Sequence, residues 1–195
     1  MTRKEQLSAA VSEMLQSRLH QEAALFEEAV RLNGQKTVTD VLLALQIALE
    51  SAGQLQTDNR KGAVGFIGFS ILFSNLFLGE YAIQINVYDE KFLVDDQDAS
   101  AAWDFSWLME GIDPSFAAVE RVLKRSMARV QDYEIAELLR EYRMNYYVMA
   151  LELACQVVSG CMELLRLPSV ELASEIHFTA GLYMEAQRPF FVWRP

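Results

Sequence analysis

Hydrophobic positions along this chain recur mostly at three- and four-residue steps, with one stretch that switches to a period of two. Residues 3–32 carry Leu15, Leu19, Ala23, Phe26 and Val30 on one helical stripe. Asn33-Gly34 ends that segment with residues suited to a left-handed cap. Thr37 and Asp40 then have capping-box spacing for a second helix, with Val41, Leu42, Leu45, Leu49 and Ala52 as its apolar face. A connection this short predicts an antiparallel helical hairpin. Past a polar loop at 53–61, residues 63–78 are apolar on all sides, and Phe66, Phe69, Phe73 and Phe77 share one helical arc. A helix apolar all round belongs in the centre of a core or in a membrane. Sixteen residues fall short of the ~20 that a span needs, so the expectation is a buried central helix.

The period of two comes next. Tyr81, Ile83, Ile85 and Val87 alternate with Ala82, Gln84, Asn86 and Tyr88, which predicts a strand. Asp89-Glu90-Lys91 reads as its turn and Phe92-Leu93-Val94 as the returning strand. An isolated hairpin is marginal in water, so this one has to pack on helices, with Trp103, Phe105 and Trp107 as its anchor. Asp113-Pro114 marks a helix start, followed by a stripe of Phe116, Val119, Leu123 and Met127. A long helix over about 133–165 is apolar on three sides and is the second central element. Leu167-Pro168 breaks it, and Ser169 opens a last helix to about Glu185. The aromatic tail Phe190-Phe191-Val192-Trp193 is expected to tuck into the core. The fold class so predicted is mainly α, formally α+β with few strands. It is a single-domain multi-helix bundle over residues 1–195, with one inserted antiparallel β-hairpin at about 81–95.

Composition supports an ordered domain: 52% of the 195 residues are hydrophobic and 23% charged, which excludes a disordered chain. The start, Met1 to Gln6, leads into an amphipathic pattern rather than an apolar signal-peptide core. Cys155 and Cys161 diverge by about 240° on a helix, so neither a disulfide nor a shared metal is expected between them. Both observations predict a cytoplasmic protein with reduced thiols. A net charge of −10 argues against nucleic acid as a partner, since phosphate binding rests on positive charge.

That charge is unevenly placed. Residues 80–113 carry nine acids and one base, Lys91. Asp89, Glu90, Asp95, Asp96, Asp98 and Asp104 are the candidate partner-binding residues within this segment. The following segment reverses sign, with Arg121, Lys124, Arg125 and Arg129 as a basic stripe, most simply a solvated helix face. Catalytic signatures are missing. There is no Gly-x-Ser-x-Gly, and the two histidines, His20 and His177, sit apart from any nucleophile pattern. No Cys/His cluster has zinc spacing. Asp96-Gln-Asp98-Ala-Ser100 has the beginning of a calcium loop, but Ala101 stands where glycine is needed and Trp107 where a glutamate is needed. No catalytic residue, metal site or cofactor is expected.

The stretch Tyr81-x-Ile83-x-Ile85-x-x-Tyr88-Asp89-Glu90-x-Phe92-x-x-Asp95, followed by Trp103-Asp104-Phe105, resembles a pattern in uncharacterised bacterial proteins. Those proteins have a helical body and an acidic, Trp-containing hairpin. The resemblance covers about 25 residues, implies no activity and points to a bacterial cytosolic origin. The functional expectation is a non-catalytic interaction protein, of the immunity-protein or antitoxin kind, whose acidic hairpin binds a basic partner. Two alternatives stand beside it. One is a metal-dependent enzyme with a carboxylate site in the acidic segment; the other is membrane association through residues 63–78. Apolar faces on nearly every helix leave room for a homodimer.

Overall fold

Helices α1 (Arg3–Leu32) and α2 (Gly34–Thr57) form where the 3.6-residue period places them in the computed structural model, which describes residues 3–126 and 129–195. Their junction differs from the expected caps. Only Asn33 separates them, it takes no left-handed conformation, and Thr37 lies buried inside α2 while Asp40 pairs with Lys36 one turn away. The Leu15 side chain and Met127 lie outside the described residues.

The apolar run at 63–78 is where the fold departs from a helical bundle. Its first half is strand β1 (Val64–Ile71); only the short helix α3 (Phe73–Leu78) follows, closed by Gly79 at φ 72°. Strand β2 (Ala82–Asp89) occupies the alternating stretch. Residues 92–94 form a single 3₁₀ turn rather than the returning strand, which is β3 (Ser100–Asp104), carrying Trp103. Helices α4 (Ser106–Met109), α5 (Asp113–Ser126) and α6 (Asp132–Cys161) follow. The last expected helix is instead β4 (Leu172–Leu182), and the aromatic tail is β5 (Gln187–Trp193). At 56% helix and 22% strand, with a five-stranded sheet ordered β3-β2-β1-β4-β5, the fold is α+β and not a mainly-α bundle with one hairpin.

The reason is the position of β1. It pairs antiparallel with β2 and parallel with β4, so it is the central strand. Seven of its eight residues are buried, and a strand covered on both faces reads as a continuous apolar run. Such a run has no alternation to distinguish it from a buried helix. Membrane association through residues 63–78 as one spanning helix is removed by the same observation. Among the described residues, one helical stretch elsewhere, Asp132–Leu164, is long and apolar enough to cross a membrane by length and composition.

The chain divides into two compact units, Met1–Gly34 with Ser106–Tyr146, and Gln35–Phe105 with Tyr147–Pro195. In the first, Glu22 of α1 is buried and accepts hydrogen bonds from the hydroxyls of Tyr142 and Tyr146 on α6. Phe116 of α5 packs edge-on against both tyrosine rings at 5.7 and 6.0 Å. Burial first, and then the hydrogen bond to Glu22, push both phenols well above the usual tyrosine range.

The second unit contains the whole sheet. Because side chains alternate across a strand, Ile67, Phe69, Ile83, Ile85, Phe178 and Ala180 share one face, and all six are fully buried. Arg188, in register with Ala180 on that face, pairs with Glu152 of α6. The Tyr147 hydroxyl donates to the Glu80 carbonyl at 2.6 Å, which ties α6 to the start of β2 as well. The C-terminal end of α2 is tied to the entry of β4. Gln56 exchanges hydrogen bonds with the Glu171 backbone at 2.7 and 2.9 Å. A Cβ on Gly53 would fall 2.4 Å from the Ser169 carbonyl oxygen, so only glycine permits that approach.

Candidate functional site

The opposite sheet face is polar and unlike the first. Its central row runs Ser100, Asn86, Gly68 and Thr179 across β3, β2, β1 and β4. Gly68 contributes no side chain, and the Tyr88 ring and the Thr179 hydroxyl close over it, 3.4 and 3.6 Å from where a Cβ would stand. Asn86 and Thr179 flank it, both buried, and neither Asn86 Nδ2 nor Thr179 Oγ1 has a hydrogen-bond partner among the described residues. One row further along, Phe66 stacks on His177 at 5.4 Å and meets Phe92 at 4.6 Å, and Phe92 meets Tyr88 at 5.4 Å. Phe92 adopts φ 54°, a strained conformation for a bulky residue, and its ring closes this aromatic cluster.

Over this face opens a groove of about 490 Å³. Its floor includes Gln84, Asn86 and Ser100. One wall comes from the β2–β3 connection, with Leu93 and Asp95 to Asp98; the other comes from Tyr183 and Met184 in the β4–β5 turn. The Tyr183 N–H donates to the Ile71 carbonyl at 3.1 Å, which fixes this second wall to the end of β1. Met184 sits at φ 60°, in a turn closed by the Glu185 N–H on the Leu182 carbonyl.

The first wall is held by a buried ion pair. Lys61 donates to the Asp95 carboxylate and, at 2.9 Å, to the Gln97 carbonyl; both charged side chains are essentially inaccessible to water. Asp95 also accepts the N–H groups of Asp89 and Gln97, each at 3.0 Å. Burial by itself raises the carboxyl. The Lys61 hydrogen bond, the two backbone donors and the Lys61 charge outweigh it and hold Asp95 below the usual carboxylate range. Asp89 is buried too and accepts from the Lys91 N–H at 2.8 Å and the Gly62 N–H at 3.3 Å.

The six acids singled out from sequence therefore separate. Asp89 and Asp95 are consumed in shaping the wall. Asp96 and Asp98 are exposed on the groove; Glu90 and Asp104 are exposed but do not line it. Tyr88 records the resulting field. Burial, and then the nearby Tyr183, Asp98 and Asp95, push its hydroxyl up to about 12. The basic stripe lies in the other unit. Lys124 pairs there with Glu120 at 2.7 Å and Asp132 at 2.9 Å, Arg121 donates to the Ala117 carbonyl, and Arg125 is exposed. Arg129 takes φ 59° just beyond α5. His177 is in a strand, and Cys155, pushed up to about 12 by burial and the nearby Glu152, is an inert buried thiol. Among the described residues, no three His, Cys, Asp or Glu side chains converge to hold a metal ion.

Lys61, Asn86, Tyr88, Tyr183 and Met184 were not among the sequence candidates. Asn86 and Tyr88 did carry a signal, as the polar half of the alternation in β2. Tyr183 and Met184 carried none, since their position against the groove depends on β4 being a strand. No protein-family model, curated protein or solved structure matches this chain.

Proposed function

We propose that this protein is a non-catalytic binding module that captures a basic segment of a partner protein in the groove on the polar sheet face. The observation that carries the reading is the charge of the lining. Asp95, Asp96 and Asp98 are its charged side chains, and none of the described lining residues is basic. Asp95 is neutralised by Lys61, so Asp96 and Asp98 supply the field, focused by a recess with protein walls. Immunity proteins and antitoxins that cover basic toxins rely on this kind of complementarity, and reduced Cys155 and Cys161 suit a cytoplasmic setting.

The test is binding of a fluorescent tetralysine peptide, followed by anisotropy, to the wild type and to an Asp96→Lys/Asp98→Lys variant. Salt is raised from about 10 mM to about 150 mM, where the screening length falls from about 30 Å to about 8 Å. The wild type should bind and weaken steeply with salt. The variant should bind less and show a flatter salt dependence. Equal binding by the two proteins, or no binding by either, refutes the proposal.

A further inference from the structure

We infer that the groove is cut for a single basic residue of an extended peptide. The cationic head sits between Tyr88, Tyr183 and Asp98, the methylene stem runs along Leu93 and Met184, and a main-chain carbonyl accepts from Asn86 Nδ2. This rests on the proposed function and makes it specific.

Asn86 is the reason to go beyond charge. It lines the groove, is only 7% exposed, and its amide nitrogen donates to nothing among the described residues. A buried donor left unpaired costs about 1–3 kcal/mol, so an unfilled donor on the floor of a recess calls for an acceptor from the ligand. A cation carries no acceptor. A peptide residue with a basic side chain carries both the charge that Asp96 and Asp98 favour and the carbonyl that Asn86 lacks. Gly68, beside Asn86 in register, leaves room for the Tyr88 ring, whose Cε2 would lie 3.4 Å from a Cβ there, so the aromatic surface sits next to the amide.

The rest of the lining fits the same residue. Tyr88 and Tyr183 offer aromatic surface next to a carboxylate, a setting that favours an ammonium or guanidinium. Burial is the main reason the Tyr88 phenol is hard to ionise; the nearby Asp98 and Asp95 carboxylates add to it, and their negative charge favours a cation at the same place. Leu93 and Met184 are both exposed apolar side chains on the walls, and long basic residues cover such surface with their methylenes. At about 490 Å³ the recess suits one side chain with its flanking backbone rather than a folded surface.

The experiment compares tetralysine with spermidine, which has the charge but no carbonyl. In wild-type protein, saturating tetralysine should shift the Asn86 side-chain amide resonances in a ¹⁵N correlation spectrum, and spermidine should leave them in place. Asn86→Ala should weaken tetralysine about fivefold, the order of one neutral hydrogen bond, and leave spermidine unchanged. The wild-type spectrum decides the matter even if the variant does not fold. If both ligands bind and the Asn86 resonances move with neither, carbonyl recognition is wrong while the acidic groove stands as a site for basic partners. If neither ligand binds, both readings fall.

Discussion

Replacing Lys61 by Met should destabilise the protein far more than the loss of a surface lysine does. The lysine side chain is buried against Asp95, and its ammonium also holds the Gln97 carbonyl. Met has similar length and apolar volume, so the substitution removes the charge and its hydrogen bonds without opening a large cavity. What remains is a buried carboxylate with two backbone donors, the N–H groups of Asp89 and Gln97. Breaking a buried pair in this way costs about 3–5 kcal/mol. At about 2–4 °C per kcal/mol for a chain of this size, the melting temperature should fall on the order of 10 °C. The pH dependence gives a second check. In the wild type Asp95 is held below its unfolded value of about 3.9, so its contribution is present above that pH and is lost as pH falls through the folded value. In Lys61→Met the burial is no longer opposed by a cation, and the carboxyl moves above the unfolded value. The penalty is then greatest near neutral pH and relaxes as the group protonates. Urea denaturation of both proteins from about pH 7 to about pH 4 should show the gap narrowing. A loss below about 1 kcal/mol at neutral pH would show that the pair behaves as an exposed one and would refute the reasoning.

Three further outcomes follow from the structure. Glu22→Leu removes the shared acceptor of the Tyr142 and Tyr146 hydroxyls and should cost about 2–4 kcal/mol in urea denaturation, while Glu22→Gln, which keeps an acceptor oxygen, should cost clearly less; equal losses would contradict the hydrogen bonding. In a spectrophotometric titration, Tyr88, Tyr142 and Tyr146 should remain protonated in the folded protein above the ordinary tyrosine value of about 10. Their folded values are raised, so the stability they contribute is complete below that pH and declines above it; full ionisation of all tyrosines near pH 10 with the fold intact would be the opposing result. Met184→Gly relieves a left-handed conformation worth about 1–2 kcal/mol at an entropic cost of about 0.5–1 kcal/mol, so thermal stability should hold or rise slightly. The same variant should bind tetralysine more weakly, because the apolar wall is gone; unchanged binding would remove Met184 from the site.

The helices α1, α2, α5 and α6 were legible because a half-buried helix writes its buried side into the chain every three to four residues. The start of α5 at Asp113 was legible from its cap and proline alone. Strand β2 was legible because its two faces have different surroundings. β1 was not, because both of its faces are buried, and neither was β4, whose alternation of Ile176, Phe178 and Ala180 with His177, Thr179 and Gly181 begins only partway along the strand, behind the helix-cap signal of Ser169. Without those two strands there is no sheet, and without the sheet no register that sets Gly68 between Asn86 and Thr179.

By itself, then, the sequence determined where α1, α2, α5 and α6 run, where the alternating strand β2 lies and where the negative charge is concentrated, since each of these is a property of neighbouring residues. Tertiary structure decided what the charge is for. Asp95 and Asp96 are adjacent and chemically alike, yet one is locked inside by Lys61 and the other faces the groove. That difference is set by a partner 34 residues away and by a turn that comes to the same sheet face only once β1 and β4 pair in parallel. Local pattern cannot encode a contact between segments so far apart; burial and register, which exist only in the folded chain, assign each carboxylate its role.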